Sequence, residues 1–153
     1  MRADHSFDLQ RFVDAQAPVY EGVRAELRRG RKTSHWMWFV FPQLARLGRS
    51  ATAQHYAIAS LDEARAYLRH AVLGPRLVEC TRLVNAVAGR SAGEIFGGPD
   101  DLKFRSSMTL FSRANPAEPV FSEALEKFFG GAADPRTLEL LGPHLHEEDR
   151  WSA

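Results

Sequence analysis

Hydrophobic positions recur at helical spacing along most of the chain, with short glycine or proline punctuation between the runs. Phe7, Phe12 and Val13 open a first short helix. A second runs from about Pro18, carries Val19, Val23 and Leu27 four residues apart, and stops at Gly30, which suits a left-handed cap. Ser60 and Glu63 stand in capping-box register ahead of Ala64, Tyr67 and Leu68 on one face. Pro75 suits the first residue of the next helix, whose stripe of Leu77, Cys80, Thr81, Val84 and Ala88 ends at Gly89. Ser91 and Glu94 form a second capping box over a short turn ending at Gly97-Gly98. Further helices are predicted at about 100–113, 118–129 and 135–141. The pattern predicts an all-α fold: one multi-helical domain over residues 5–142 and a polar tail over 143–153. No internal repeat or linker divides it.

Two segments depart from simple amphipathic helices. In His35-Trp36-Met37-Trp38-Phe39-Val40-Phe41-Pro42-Gln43 both alternating faces are apolar. That predicts either a doubly buried strand near 36–41 or a buried irregular segment, ended by Pro42. In Asp100 to Phe111 the apolar residues spread almost all round the helical wheel, the mark of a helix buried on most sides. A strand with Phe104, Met108 and Leu110 on one face is the alternative.

Composition narrows the class without naming an activity. With 153 residues, 44% hydrophobic and 25% charged, the chain is an ordinary globular domain, neither disordered nor disulfide-dependent. The 20 basic and 19 acidic residues nearly balance, which speaks against nucleic acid as the main partner. Only Lys32, Lys103 and Lys127 are lysines; the remaining bases are arginine, and with the many alanines this reads as coding bias. Cys80 is the single cysteine, so no internal disulfide forms, consistent with a reducing compartment. The longest apolar run, Trp36–Phe41, falls far short of the roughly 20 residues a membrane span needs. The first residues lack the apolar stretch of a secretory signal, and the expected location is the cytoplasm.

Longer motifs add a resemblance. His35-Trp-Met-Trp-Phe-x-Phe-Pro-Gln43, Leu47-Gly-x-Ser50, Tyr56-x-Ile-x-Ser60 and Glu63-Ala-x-Ala-Tyr-Leu-x-His70 follow one another in order. Leu73-Gly-x-Arg-Leu77, Lys103-x-x-Ser-Ser-Met-Thr-Leu-Phe111 and Phe128-Phe-Gly-Gly131 complete the series. This order resembles a bacterial family catalogued as domain of unknown function 1810, over about residues 7–141. Ala71 departs from the proline expected after the histidine. The resemblance implies a mainly α-helical, stand-alone bacterial cytoplasmic protein and supplies no activity. Such proteins are sometimes labelled calpastatin, but inhibitors of that kind are disordered segments poor in hydrophobic residues. The 10 Phe, 3 Trp and 3 Tyr here speak against that label. Gln54-His55-Tyr56-Ala57 and Ile95-Phe96-Gly97-Gly98 are also similar to motifs of a helical family that removes ADP-ribose from its attachments. Gln54 stands where that family has glutamate, so the carboxylate of its chemistry is missing.

The candidate chemistry lies in the two unusual segments. Lys103, with Ser106 and Ser107 three and four residues on, suits a phosphate contact or a desolvated catalytic amine. The plainer reading pairs Lys103 with Asp100 or Asp101 and leaves the serines bonding their own helix. Trp36 and Trp38 offer faces on which a nucleobase stacks, with His35 and Gln43 reading polar edges. Large aromatics are more often core, and Trp38 and Phe39 are expected there. His55 and Tyr56 are further polar candidates beside the same region. The cluster Arg24, Arg28, Arg29, Arg31 and Lys32 is either a phosphate attractor or a solvated helix end. His144, His146 and Glu147 have a metal-like spacing but fall in the polar tail, and Cys80 lies on a packing stripe.

These residues predict a small-molecule pocket where the 35–43 segment meets the 100–111 helix. The expected activity is that of an enzyme on a nucleotide-like or ADP-ribose-like ligand. Lys103 and His35 would be its catalytic groups, and Trp36, Gln43, Tyr56, Ser106 and Ser107 its ligand contacts. No cofactor, metal or membrane partner is expected. The alternative is a non-enzymatic interaction or regulatory module in which both motifs serve only the fold.

Overall fold

A computed structural model describes residues 7–142. The helices are α1 (Gln10–Gln16), α2 (Tyr20–Arg29), α3 (Met37–Val40), α4 (Ala51–His55), α5 (Leu61–Arg69), α6 (Leu73–Asn85), α7 (Ala92–Phe96), α8 (Asp100–Ala114) and α9 (Val120–Phe129). A further helix, α10, covers 135–142. The fold is all-α, as the hydrophobic periodicity predicts. The tail over 143–153, with His144, His146 and Glu147, lies outside the described residues.

Local sequence explains most helix ends. Gly30 adopts φ 76°, and its N–H bonds the Leu27 carbonyl at 3.0 Å, closing α2 in the left-handed conformation. Gly130, at φ 63°, ends α9 in the same way. Ser91 and Glu94 form a complete capping box at α7. At α5 only half of the predicted box exists: Ser60 accepts from the Glu63 N–H, whereas the Glu63 carboxylate turns to the Ala59 N–H. The carboxylate is drawn there because Arg11 reaches it from α1, a partner that local spacing does not reveal. Helix α6 begins at Leu73, two residues before Pro75. His70 makes this possible, its Nδ1 accepting from the N–H groups of Val72 and Leu73.

Helix α8 is the hub, packed against α5, α7 and α9, which is why its apolar residues surround it. Phe104 and Phe111, both fully buried, carry the core along its length. Phe104 meets Phe41 edge-on at 5.0 Å and stacks on Phe96 at 4.7 Å. Phe111 meets Tyr67 at 5.3 Å and Phe121 at 5.9 Å. Helix α6 completes the framework against α2, α5 and α9.

The strand expected near 36–41 is not formed. Met37–Val40 is a single helical turn, and the only β-type pairing among the described residues is an isolated parallel bridge between Leu44 and Ile58. The segment is apolar on both faces because it is a plug: Trp36, Met37, Val40 and Phe41 point into the core, while Trp38 and Phe39 are half-buried. A lone extended strand there would leave backbone N–H and C=O groups buried without partners. The helical turn bonds Val40 N–H to the Trp36 carbonyl and Phe41 N–H to that of Met37.

Candidate functional site

The segment that delivers the Trp-Met-Trp turn is anchored by a buried acid. Glu26 Oε1 accepts from the N–H groups of Thr33 (2.8 Å) and Ser34 (3.0 Å) and from the Trp36 indole N–H (2.9 Å). Its Oε2 accepts from the Ser34 hydroxyl at 2.6 Å. Burial by itself raises the pKa of a carboxyl, but these four donors outweigh it and hold Glu26 down at about 2. The Glu26 carboxylate thereby fixes where the loop crosses from α2 to α3.

Beyond this anchor a small cleft opens between α3, α4 and α8. Met37, Trp38, Phe41, Gln43, Ala53, Tyr56, Ala57 and Lys103 line it. Its free volume is about 10 Å³, roughly one water. Gln43 and Tyr56 make no side-chain hydrogen bond to any described residue, so both bring unspent polar groups. Gln43 is placed by its backbone: its carbonyl accepts from Ile58 N–H at 2.9 Å, across the Leu44–Ile58 bridge. Tyr56 is held by Phe39 at 5.3 Å and Phe12 at 5.9 Å between ring centres.

Lys103 closes the cleft from α8. Its ammonium lies 5.6 Å from the centre of the Trp38 ring and 3.6 Å from Asp100. Asp100 also binds Lys32, at the shorter distance of 2.8 Å, and Lys32 lies 5.2 Å from the Trp36 ring. Two lysines thus share one carboxylate, and each rests over one tryptophan of the same turn. Lys103 is 28% exposed and Leu102 beside it is 58% exposed, so the amine is open to water, against the desolvated catalytic amine expected.

Gln43, Tyr56 and Lys103 therefore meet in one cleft, from three separate parts of the chain. The other candidates do not line it. His35 is exposed on the loop before α3. Trp36 is 1% exposed with its N–H spent on Glu26, which makes it core and corrects its assignment as a stacking surface. Ser106 bonds the Leu102 carbonyl and the Asp134 carboxylate, which caps the start of α10 through Thr137. It fastens α10 to α8 and does not line the cleft. Ser107 is fully buried one turn below Lys103, and its hydroxyl has no partner.

The remaining candidates resolve simply. Arg28, Arg29 and Arg31 are exposed, and Arg24 pairs with Glu21 and Glu79. Lys32 leaves that cluster for the interior. Burial pushes the Cys80 thiol up to about 12, which rules it out as a ready nucleophile. No group of three metal-ligating side chains occurs among the described residues. A roomier hollow of about 250 Å³ lies elsewhere, lined by Leu44, Arg46, Leu61, Leu140 and Leu141 among others, and holds none of the predicted groups. The residues that sequence reasoning missed are Glu26 and Arg11. Glu26 stands in register with Val23 and Leu27 on the buried face of α2, a signal that could have found it.

Most of the chain is similar to known proteins. The family model described as "Protein of unknown function (DUF1810)" matches residues 6–141. Among solved structures the chain is similar to the conserved hypothetical protein Rv1873 from Mycobacterium tuberculosis, with a TM-score of 0.88 and 63% identity. The match covers 89% of this chain and 97% of that one. No curated protein matches the chain.

Proposed function

The chain belongs to the DUF1810 family of proteins of unknown function, and on that footing we propose that it binds a small molecule. The finer reading is a nucleotide-like or ADP-ribose-like ligand, seated where the 35–43 segment meets α8. One observation carries this reading: Gln43, Tyr56 and Lys103 converge on one cleft beside the exposed part of Trp38. A ring laid on Trp38 suits the aromatic wall, and a phosphate suits the ammonium of Lys103. The amide of Gln43 and the hydroxyl of Tyr56 are free to bond the polar edge of the ring. The free volume of about 10 Å³ holds no ring, so the reading requires Trp38 and Lys103, both partly exposed, to swing outward as the ligand enters. Side-chain rearrangements of that size are common on binding. Tyr56 and Lys103 are the titratable groups of the lining, so any proton transfer in the cleft falls to them.

Thermal unfolding in the presence of AMP, NAD or ADP-ribose tests the proposal. A ligand at a hundred times its Kd adds about 2.7 kcal/mol, a rise of roughly 5–11 °C for a domain of this size. The rise is expected to vanish in Lys103→Ala. A flat response of the folded wild type to the whole panel refutes the reading. That result favours the interaction module instead, for which Leu102, exposed beside Lys103, is the supporting observation.

A further inference from the structure

Two of the three lysines in a chain with 17 arginines meet at Asp100. The third, Lys127, has a plain structural use, donating to the carbonyls of Asn85 and Val87 at the C-terminal end of α6. Lys32 is used differently, in an ion pair that ties the loop before α3 to the start of α8, with the Trp36 ring beside it. Its side chain is 8% exposed, it does not line the cleft, and its ammonium goes to Asp100. Burying an ammonium is costly, and pairing offsets the cost without making the pair a net source of stability. The arrangement calls for another reason.

Charge arithmetic supplies one. Asp100 stands 2.8 Å from Lys32 and 3.6 Å from Lys103, so its negative charge is committed first to the buried lysine. The cluster of two ammoniums and one carboxylate keeps one positive charge, and that charge sits at the cleft on Lys103. Were Lys32 absent, Asp100 would pair with Lys103 alone. The cluster would become neutral and the ammonium would be drawn off Trp38.

We infer that Lys32 is a positioning residue that occupies Asp100 so that Lys103 presents an uncompensated charge to a phosphate monoester in the cleft. The inference rests on the ligand reading above and deepens it. Lys32 and Asp100 touch no ligand themselves; they act through Lys103. The single excess positive charge of the cluster offsets about half the charge of a phosphate monoester placed beside a ring on Trp38.

Calorimetric titration with AMP and with adenosine tests this, since adenosine shares the ring and lacks the phosphate. Wild type is expected to prefer AMP by tenfold or more, the worth of a hydrogen bond to a charged group. Lys103→Met should abolish that preference, and Lys32→Met should abolish it nearly as fully from its buried position. The double variant Lys32→Met/Asp100→Asn restores one positive charge and should recover the preference. A merely structural bridge gives no such recovery. Preference retained in Lys32→Met, or absent in the double variant, overturns the inference while the ligand reading stands. Equal or absent binding of AMP and adenosine by wild type overturns the inference, and the ligand reading falls with it if NAD and ADP-ribose are also without effect. Should Lys32→Met lose its thermal transition, Lys32→Gln takes its place, and an undiminished preference there overturns the inference.

Discussion

Glu26→Gln separates the charge of the buried anchor from its shape. Glutamine keeps a carbonyl oxygen for the three N–H donors that meet Oε1, and its amide can face the Ser34 hydroxyl, which turns to accept. What it removes is the charge. Glu26 has a pKa near 2 in the fold against 4.5 as the unperturbed value. That difference amounts to about 3 kcal/mol at neutral pH. Because the folded value is depressed, the contribution is fully present above pH 4.5 and is lost as pH falls toward 2. Urea unfolding followed by circular dichroism at pH 7, 6, 5, 4 and 3 should show wild type ahead of Glu26→Gln by up to about 3 kcal/mol at the neutral end. The gap should narrow by roughly 1.4 kcal/mol per unit below pH 4.5. The loop-crossing argument is refuted if the gap is constant from pH 7 to pH 3, or if the variant matches wild type throughout.

Arg11 donates to the carbonyls of Phe7, Asp8, His55 and Ala57 and to the Glu63 carboxylate, whose side chain is 3% exposed. Arg11→Met should cost about 3–5 kcal/mol in chemical denaturation, because Glu63 is left as a buried unpaired charge; a loss below 1 kcal/mol contradicts this. A Cβ on Gly74 would stand 2.1 Å from the Leu68 carbonyl oxygen, so α5 and α6 must part to admit it. Gly74→Ala should lower stability by about 1–3 kcal/mol or more, although alanine favours a helix, and a Tm at or above wild type would refute it. Ser106→Ala should fray α10 with little effect on the cleft, seen as faster amide exchange over 135–142 with unchanged AMP response. Cys80 should resist alkylation at pH 8 in the folded protein and react on unfolding, since its thiol stays protonated to about pH 12.

Most helices were legible because their signals are local. The Val19, Val23, Leu27 spacing, the Gly30 stop and the Ser91–Glu94 box are complete within a few residues, and each is realised at the predicted place. The start of α6 was misread because the proline rule competes with a cap from His70, a residue that also ends α5. Glu63 was half misread because its carboxylate answers a cation 52 positions away. The candidate site shows the same division. That Lys103 and Gln43 meet was expected from the two unusual segments, and Tyr56, named from outside them, lines the same cleft. That Trp36 is core and Ser106 fastens α10 depends on Glu26 and Asp134, whose partners lie on other elements.

By itself, then, the sequence determined the all-α class, the position of most helices and the two segments whose hydrophobicity exceeds one face. Periodicity and capping act over one or two turns, and no distant residue is needed to read them. Only the tertiary structure decided that the aromatic run folds as a helical plug, and that Lys32 and Lys103 divide a single carboxylate between them. Those outcomes come from burial, where each backbone group and each charge must find a partner, and the nearest partner in space is seldom a neighbour in the chain.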